Sequence, residues 1–324
     1  MKENTRNITA EFIENRDIIK KALKLESTYI YPIAANIFCA AGVRADADRL
    51  RECKKIIKKN AGFASYLKGT TFTPLAAKLS IADDPEEQFG KVLAVYDILK
   101  KYFSRSEYLA MLATLFAEKT DEENAEQIAS RGRALYDLMK KEHPLLTSRE
   151  DNIMAGFMAL SDKSDEQLID ECEQCYDLLT KEFSSKNALQ TVSHILAMTD
   201  GTPEEKVGRL IKMFDMLKKA GHKYGKRFEL SALAAVSTIN ADVEELVETI
   251  IETDSILAEQ KGYGALSIDR KTRLMHAVML TADIYGDTDN TQAAAAATTI
   301  MIIAAQQAAM CAAAASAGAA SNAG

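Results

Sequence analysis

Apolar positions recur along this chain with the 3.6-residue period of a helix, and they recur in blocks. Phe89, Val92, Leu93, Tyr96 and Leu99 fall on one stripe, as do Val207, Leu210, Ile211, Phe214 and Leu217. A strand cannot hold such spacing on one face. Near the end of each stripe the same short run returns: Tyr96-Asp97-Ile98-Leu99-Lys100-Lys101, then Tyr136-Asp137-Leu138-Met139-Lys140-Lys141, Tyr176-Asp177-Leu178-Leu179-Thr180-Lys181 and Phe214-Asp215-Met216-Leu217-Lys218-Lys219. Weaker copies begin at Arg16, Lys54 and Thr253. Counted from residues 16, 54, 96, 136, 176, 214 and 253, the steps are 38, 42, 40, 40, 38 and 39. A fixed period of this size predicts stacked two-helix units, because one such hairpin cannot bury its apolar stripe alone.

Within each unit the spacing predicts a longer amphipathic helix, a polar loop and a shorter, more apolar helix. The shorter helices are expected at Tyr31–Ala41, Thr73–Ile81, Glu107–Glu118, Asn152–Ser161, Asn187–Met198, Glu229–Asn240 and Lys271–Ile284. Being apolar nearly all round and rich in Ala, they are expected to form an inner layer. Helix starts are marked at Asp84-Pro85-Glu86-Glu87, Thr202-Pro203-Glu204-Glu205 and Ser164-Asp165-Glu166-Gln167, with Asp121 and Asp242 in the same role. Gly42, Gly62, Gly201, Gly221 and Gly262 mark the ends. The fold predicted is all-α: a solenoid of about seven antiparallel helix pairs, an open superhelix of the HEAT or TPR kind, over residues 1–286. An Ala-rich helix over 287–317 would cap its open end or dock on a partner, and 318–324 would be a disordered tail.

Charge adds a direction to this picture. Acidic pairs sit at helix starts (Asp83-Asp84, Glu86-Glu87, Glu204-Glu205, Glu244-Glu245) and basic pairs at the far ends (Lys20-Lys21, Lys58-Lys59, Lys100-Lys101, Lys140-Lys141, Lys218-Lys219). Stacked in register, they give one acidic and one basic edge, as the helix dipole favours. The recurring Asp (Asp17, Asp97, Asp137, Asp177, Asp215, Asp254) sits late in its helix, where that dipole disfavours it. Compensation is expected from the Lys four residues on, or from backbone donors of the neighbouring unit. The net charge of −7 argues against a nucleic-acid partner. The five Cys are scattered, and Met1–Asn7 is polar with no apolar run behind it, so a reduced, cytoplasmic setting is expected. The Ala-rich end is a poor membrane span, since Gln306-Gln307 interrupts it.

The runs His143-Pro144-Leu145-Leu146-Thr147-Ser148, Asn187-Ala188-Leu189-Gln190-Thr191-Val192-Ser193-His194, Lys223-Tyr224-Gly225, Gln260-Lys261-Gly262-Tyr263-Gly264 and Gln306-Gln307-Ala308-Ala309-Met310 resemble an uncharacterised bacterial family, the domain of unknown function 4003. The resemblance covers nearly the whole chain. It implies a bacterial cytosolic protein of similar length and carries no activity and no functional residues.

No catalytic motif is present, so no catalytic residue, metal site or cofactor is assigned. Cys172 and Cys175 share one helix with no second pair and no His at ligand spacing, which favours core packing. His194 and His276 lie in apolar helices and are expected to be satisfied core or groove residues. The densest basic stretch is expected to be the binding site: His222, Lys223, Tyr224 and Arg227 in one loop, with Tyr263, Arg270 and Arg273 at the next. Gly225, Gly262 and Gly264 would let backbone amides approach an anion. The leading expectation is a non-catalytic scaffold that binds a protein or peptide along its concave face or loop edge. The alternative is a small-molecule or anion-binding protein, with or without catalysis, at His222–Arg227 and Tyr263–Arg273.

Overall fold

A computed structural model describes residues 2–24, 26–62, 66–120, 122–264 and 267–285. The segments 287–317 and 318–324, together with Asp121, lie outside the described residues. All fourteen α-helices among the described residues fall into seven pairs of a long and a shorter helix. They are α1 (Lys2–Ala22) with α2 (Ile30–Ala40), α3 (Ala47–Asn60) with α4 (Phe72–Ile81), α5 (Pro85–Leu99) with α6 (Glu107–Lys119) and α7 (Glu122–Glu142) with α8 (Asp151–Met158). The series continues with α9 (Asp165–Thr180) and α10 (Lys186–Ala197), α11 (Pro203–Lys219) and α12 (Glu229–Ser237), then α13 (Val243–Ala258) and α14 (Arg270–Tyr285). These shorter helices agree with the sequence-predicted ones to within a few residues. No described helix is long and apolar enough to cross a membrane.

Local chemistry explains the boundaries. Asp84 accepts from the amides of Glu86 and Glu87 at 2.9 and 3.0 Å, and Pro85 occupies the first helical position. At Thr202 the capping box is complete, with Glu205 returning a bond to the Thr202 amide at 2.9 Å. At Ser164 only half of it forms, because the Gln167 side chain turns to Glu171 instead. Gly42, Gly201, Gly221 and Gly262 take positive φ, as helix-terminating glycines should; Gly62 does not.

Each helix packs on its pair-mate, and the long helices touch one another in order from α1 through α3, α5, α7, α9 and α11 to α13. The shorter helices form a second series, in which a 3-10 turn at Tyr66–Lys68 touches both α4 and α6. The expected open superhelix is corrected at its ends. Helix α13 packs on α1, and α14 packs on both α1 and α2, so the series returns to its start. Exposing the apolar faces of a first and a last pair would be unfavourable, and packing them on each other removes both faces. The shorter helices are buried nearly all round, with every residue from Ile30 to Phe38 and from Glu229 to Ser237 in the interior. At α7 and α8 the backbones approach closely, since a Cβ on Gly132 would stand 3.1 Å from the Gly156 Cα.

The recurring run marks the contact between pairs. The loop closing one pair lies against the first residue of the run in the next long helix. Glu26 meets Lys54 at 3.6 Å. His143 stacks on Tyr176 with centroids 4.6 Å apart, and Phe183 meets Phe214 edge-on at 5.0 Å. The closure repeats this geometry: Tyr263 of the last loop lies under the Arg16 guanidinium at 5.4 Å. The Asp one residue later is rotated about 100° away on the helix. It is therefore exposed at Asp17, Asp97, Asp137, Asp177 and Asp215. The expected Lys partners four residues on, and the backbone donors of the next pair, are not what these Asp find. Asp17 pairs with Arg16, Asp97 with Lys100 and Asp137 with Arg133.

Binding across to backbone falls to a residue five positions before the run. Arg49 donates to the carbonyls of Ser80 (2.9 Å) and Ala82 (2.6 Å), Arg131 to Ala159 (3.1 Å) and Ser161 (2.6 Å), and Arg209 to Ser237 (2.6 Å) and Ile239 (2.8 Å). In the second, fourth and sixth pairs this guanidinium satisfies carbonyls left open where the short helix ends.

Candidate functional site

The chain exposes two rims. The link rim joins each short helix to the next long one and holds the caps and the arginine clamps. The turn rim holds the loops inside the pairs and most of the buried titratable groups, although Lys206 is buried on the link rim against Glu171, which also pairs with Lys163. Two polar clusters lie on the turn rim.

The first is at the seam between the seventh and first pairs. Gly221, at φ 85°, ends α11 and turns the chain so that His222 faces α13. There His222 Nδ1 lies 3.1 Å from an Asp254 Oδ2 whose side chain is only 3% exposed. Arg273 donates to the same carboxylate from Nε at 2.7 Å and from Nη2 at 3.2 Å, the fork that suits a planar guanidinium. Below it, Tyr263 Oη and His276 Nδ1 are 3.1 Å apart. Burial raises the Tyr263 phenol well above its ordinary range. Burial, and then the charge of Arg16, press the His276 imidazole down to about 3, so both stay uncharged at neutral pH. Arg16 donates to Asp17 from Nε at 3.0 Å and from Nη2 at 2.9 Å. Its Nη1 is buried with no partner. A groove of about 430 Å³ opens along this seam, lined by Arg6, Ala10, Ile13, Glu14, Ile256 and Gln260.

The seven residues expected at the binding site separate into two sets. His222, Tyr263 and Arg273 enter the buried network, where Asp254 takes the charge of Arg273. Arg270 ties the two loops together through the Gly221 carbonyl at 2.9 Å, while remaining exposed. Lys223 and Arg227 face solvent. Tyr224 is turned inward and donates to the Glu229 carbonyl at 2.8 Å. Gly225 has a steric reason to be glycine, since a Cβ there would collide with the Glu229 carboxylate. The role expected of it beside an anion is filled by this buried acid.

The second cluster is built from the runs that carry the family resemblance. Gln190 Nε2 donates to Thr147 Oγ1 at 2.8 Å, and Lys140 Nζ donates to the Thr147 and Pro144 carbonyls at 2.6 Å each. Asp151 accepts from the Ser148 amide at 2.7 Å. Burial outweighs that bond and pushes its carboxyl up to about 7. His194 is pressed down to about 3 by burial and then by His143, and its Nδ1 has no partner, so the core histidine expected to be satisfied keeps an open ring nitrogen. His143 pairs instead with Glu173 at 3.0 Å. Cys172 and Cys175 are buried, with burial raising both thiols, Cys175 to about 11. That suits packing and not a reactive thiolate. Among the described residues no group of three or more His, Cys, Asp or Glu is placed to hold a metal ion.

Arg16 was missed as a site member because it comes from the opposite end of the chain, Asp254 because it looked like one more copy of the recurring Asp, and His276 because it was read as a core or groove residue. The one available signal was Arg16 itself, a cation where four of the other pairs carry Tyr or Phe.

A family model described as "Protein of unknown function (DUF4003)" matches residues 15–309. The chain is 24% identical over 267 residues to the uncharacterized protein YeaA of Bacillus subtilis strain 168, a match covering 81% of this chain and 79% of that protein. No solved structure matches the chain.

Proposed function

We propose, from the premise that the chain belongs to the DUF4003 family, that it is a closed ring of seven repeated helix pairs acting as a non-catalytic scaffold. Its partner is a protein or peptide, taken on the turn rim. Extended binding surfaces are a common use of repeat arrays, and that part of the reasoning is fold analogy. The observation that carries the choice of surface is the burial of the short helices nearly all round, from Ile30–Phe38 to Glu229–Ser237. With the inner face occupied by packing, the concave groove of an open stack gives way to the rims. The turn rim is the better candidate, because its loops are longer and present side chains that nothing in the ring uses. Leu145, in the His143–Ser148 run, is 97% exposed. Loops on a rigid frame are where binding residues concentrate.

Photo-crosslinking amino acids placed at Leu145 and Lys223 on the turn rim, and at Glu86 and Glu204 on the link rim, test this in the source cells. Adducts to one protein from the turn-rim positions alone are expected. Adducts from the link rim alone would defeat the assignment.

The second reading is a small-molecule or anion site at the seam. It is favoured by the buried, unpartnered Arg16 Nη1 beside Tyr263 and His276. Saturable phosphate binding by calorimetry, lost in Arg16→Gln but kept in Arg227→Ala, would support it over the scaffold.

A further inference from the structure

Around the turn rim, many cations are answered within the protein. Lys54 has Glu26, Lys100 has Asp97, Lys101 has Glu126, and Lys140 has two carbonyls. Among the described residues, exposed cations without a carboxylate partner also occur at Lys58, Lys59, Lys141 and Lys181, and over the sixth and seventh pairs they are densest. Lys219, Lys223, Arg227, Lys261, Arg270 and Lys271 are all exposed, and none of their ammonium or guanidinium groups has a carboxylate partner among the described residues. Of the buried acids beside them, Asp254 is taken by Arg273 and His222, and Glu229 accepts from the Arg227 amide at 3.2 Å. Exposed carboxylates on the same stretch, Asp215, Glu259 and Asp269, are fewer than the cations.

The helix dipole does not account for this arc. It explains Lys218-Lys219 at the end of α11. It does not explain Lys223, Arg227 and Lys261, which lie in loops. It opposes Arg270 and Lys271, which open α14 with no acid in the first turn beyond the capping Asp269. Helices α5, α9, α11 and α13 each begin with two acids instead. Across the seam, Lys20 and Lys21 at the end of α1 continue the arc.

We infer that this arc is the docking surface for an acidic protein segment, a run of Asp and Glu side chains laid along the turn rim from the sixth pair across the seam to the first. The inference rests on the scaffold reading above and names its partner's chemistry. A chain of carboxylates fits better than a single phosphate, because the cations are spread along two loops and a helix start and do not converge on one point. A short acidic segment confined to the arc meets its cations alone, whereas nucleic acid running past the arc would be repelled by the rest of a protein of net charge −7.

The test measures fluorescence anisotropy of a labelled polyglutamate peptide with the full-length protein at low and high salt. Salt-sensitive binding is expected, weakened about tenfold or more by the triple variant Lys223→Glu/Arg227→Glu/Lys261→Glu. The variant Lys58→Glu/Lys59→Glu, on the same rim at the second pair, is expected to bind within about twofold of the wild type. Circular dichroism checks that both variants stay folded. Equal loss in both variants would reduce the arc to diffuse rim charge and overturn the inference. Tighter binding of single-stranded DNA or anionic vesicles than of polyglutamate would overturn the partner class. Crosslinks from Leu145 that persist in the triple variant would leave the scaffold standing and remove this inference alone.

Discussion

Between the fifth and sixth pairs, Phe183 meets Phe214 edge-on at 5.0 Å, and between the seventh and first, Tyr263 lies beneath the Arg16 guanidinium at 5.4 Å. The two contacts occupy the same place in their pairs, a loop residue against the first residue of the recurring run. The aromatic junction gains mainly from burial, with Lys226 over the Phe183 and Phe214 rings at 5.7 and 5.4 Å, and leaves no buried charge to be answered. The polar junction leaves a guanidinium in the interior, so it needs Asp17 beside Arg16, a His276 for the Tyr263 hydroxyl, and the Asp254–Arg273–His222 network next to it. Even so, Arg16 Nη1 is left without a partner. Packing by shape can be repeated along a chain, whereas a closing contact joins two elements that are not each other's copies and is built separately.

If that contrast is right, the apolar junction is the stiffer one. Phe214→Ala should cost the most, about 3–5 kcal/mol, as a cavity at a site 7% exposed. Denaturant unfolding would measure it. A loss no larger than that of an exposed-site control would break the comparison from its apolar side.

Asp254→Ala strips the seam of its central acid and leaves Arg273 with no carboxylate. Because Arg273 and His222 keep 15% side-chain exposure, a loss of about 2–3 kcal/mol is expected, somewhat below that of a fully buried pair. Hydrogen exchange should show the loss concentrated in α1, α13 and α14. Uniform loss around the ring would mean that the seam is no weaker than its sisters.

The third test concerns pH. The Asp151 carboxyl, raised from 3.8 to about 7, binds a proton in the folded chain over a window in which the unfolded chain does not. Its contribution to stability is therefore present below pH 4 and is lost as pH rises through 7. His194 and His276, lowered from 6.5 to about 3, act oppositely, with their share lost as pH falls below 6.5. Asp151→Asn should then gain about 1 kcal/mol on the wild type at pH 8 and show no gain at pH 4. Thermal melts at the two pH values decide it, and an equal change at both would remove the buried carboxylate from the account.

The smallest effect is expected at the outer lip of the seam. Arg6 and Glu252 stand 3.5 Å apart with Arg6 71% exposed, so Arg6→Ala should move stability by less than about 0.5 kcal/mol. A larger loss would mean that surface charge, and not the buried network, holds the ring shut.

Much of the fold was legible because it is local. Helix starts at Asp84, Ser164, Thr202 and Asp242, and ends at Gly42, Gly201, Gly221 and Gly262, are written in side chains that act within one turn of themselves. The candidate site was legible only in part. His222 and Arg273 were picked out by charge density, yet their common partner Asp254 looked like one more copy of an exposed repeat position. The Arg49, Arg131 and Arg209 clamps escaped notice because their acceptors are backbone carbonyls, which no sequence pattern displays.

The sequence by itself determined the helices, their pairing and the opposed acidic and basic rims, since periodicity, capping and dipole complementarity all operate over a few residues. Only the tertiary structure decided that the row of pairs closes. It also decided which charges are spent inside that closure and which remain free on the turn rim. Both depend on the angle at which each pair sits on the last, and seven small rotations add up to a meeting of α1 with α13 that no single pair contains.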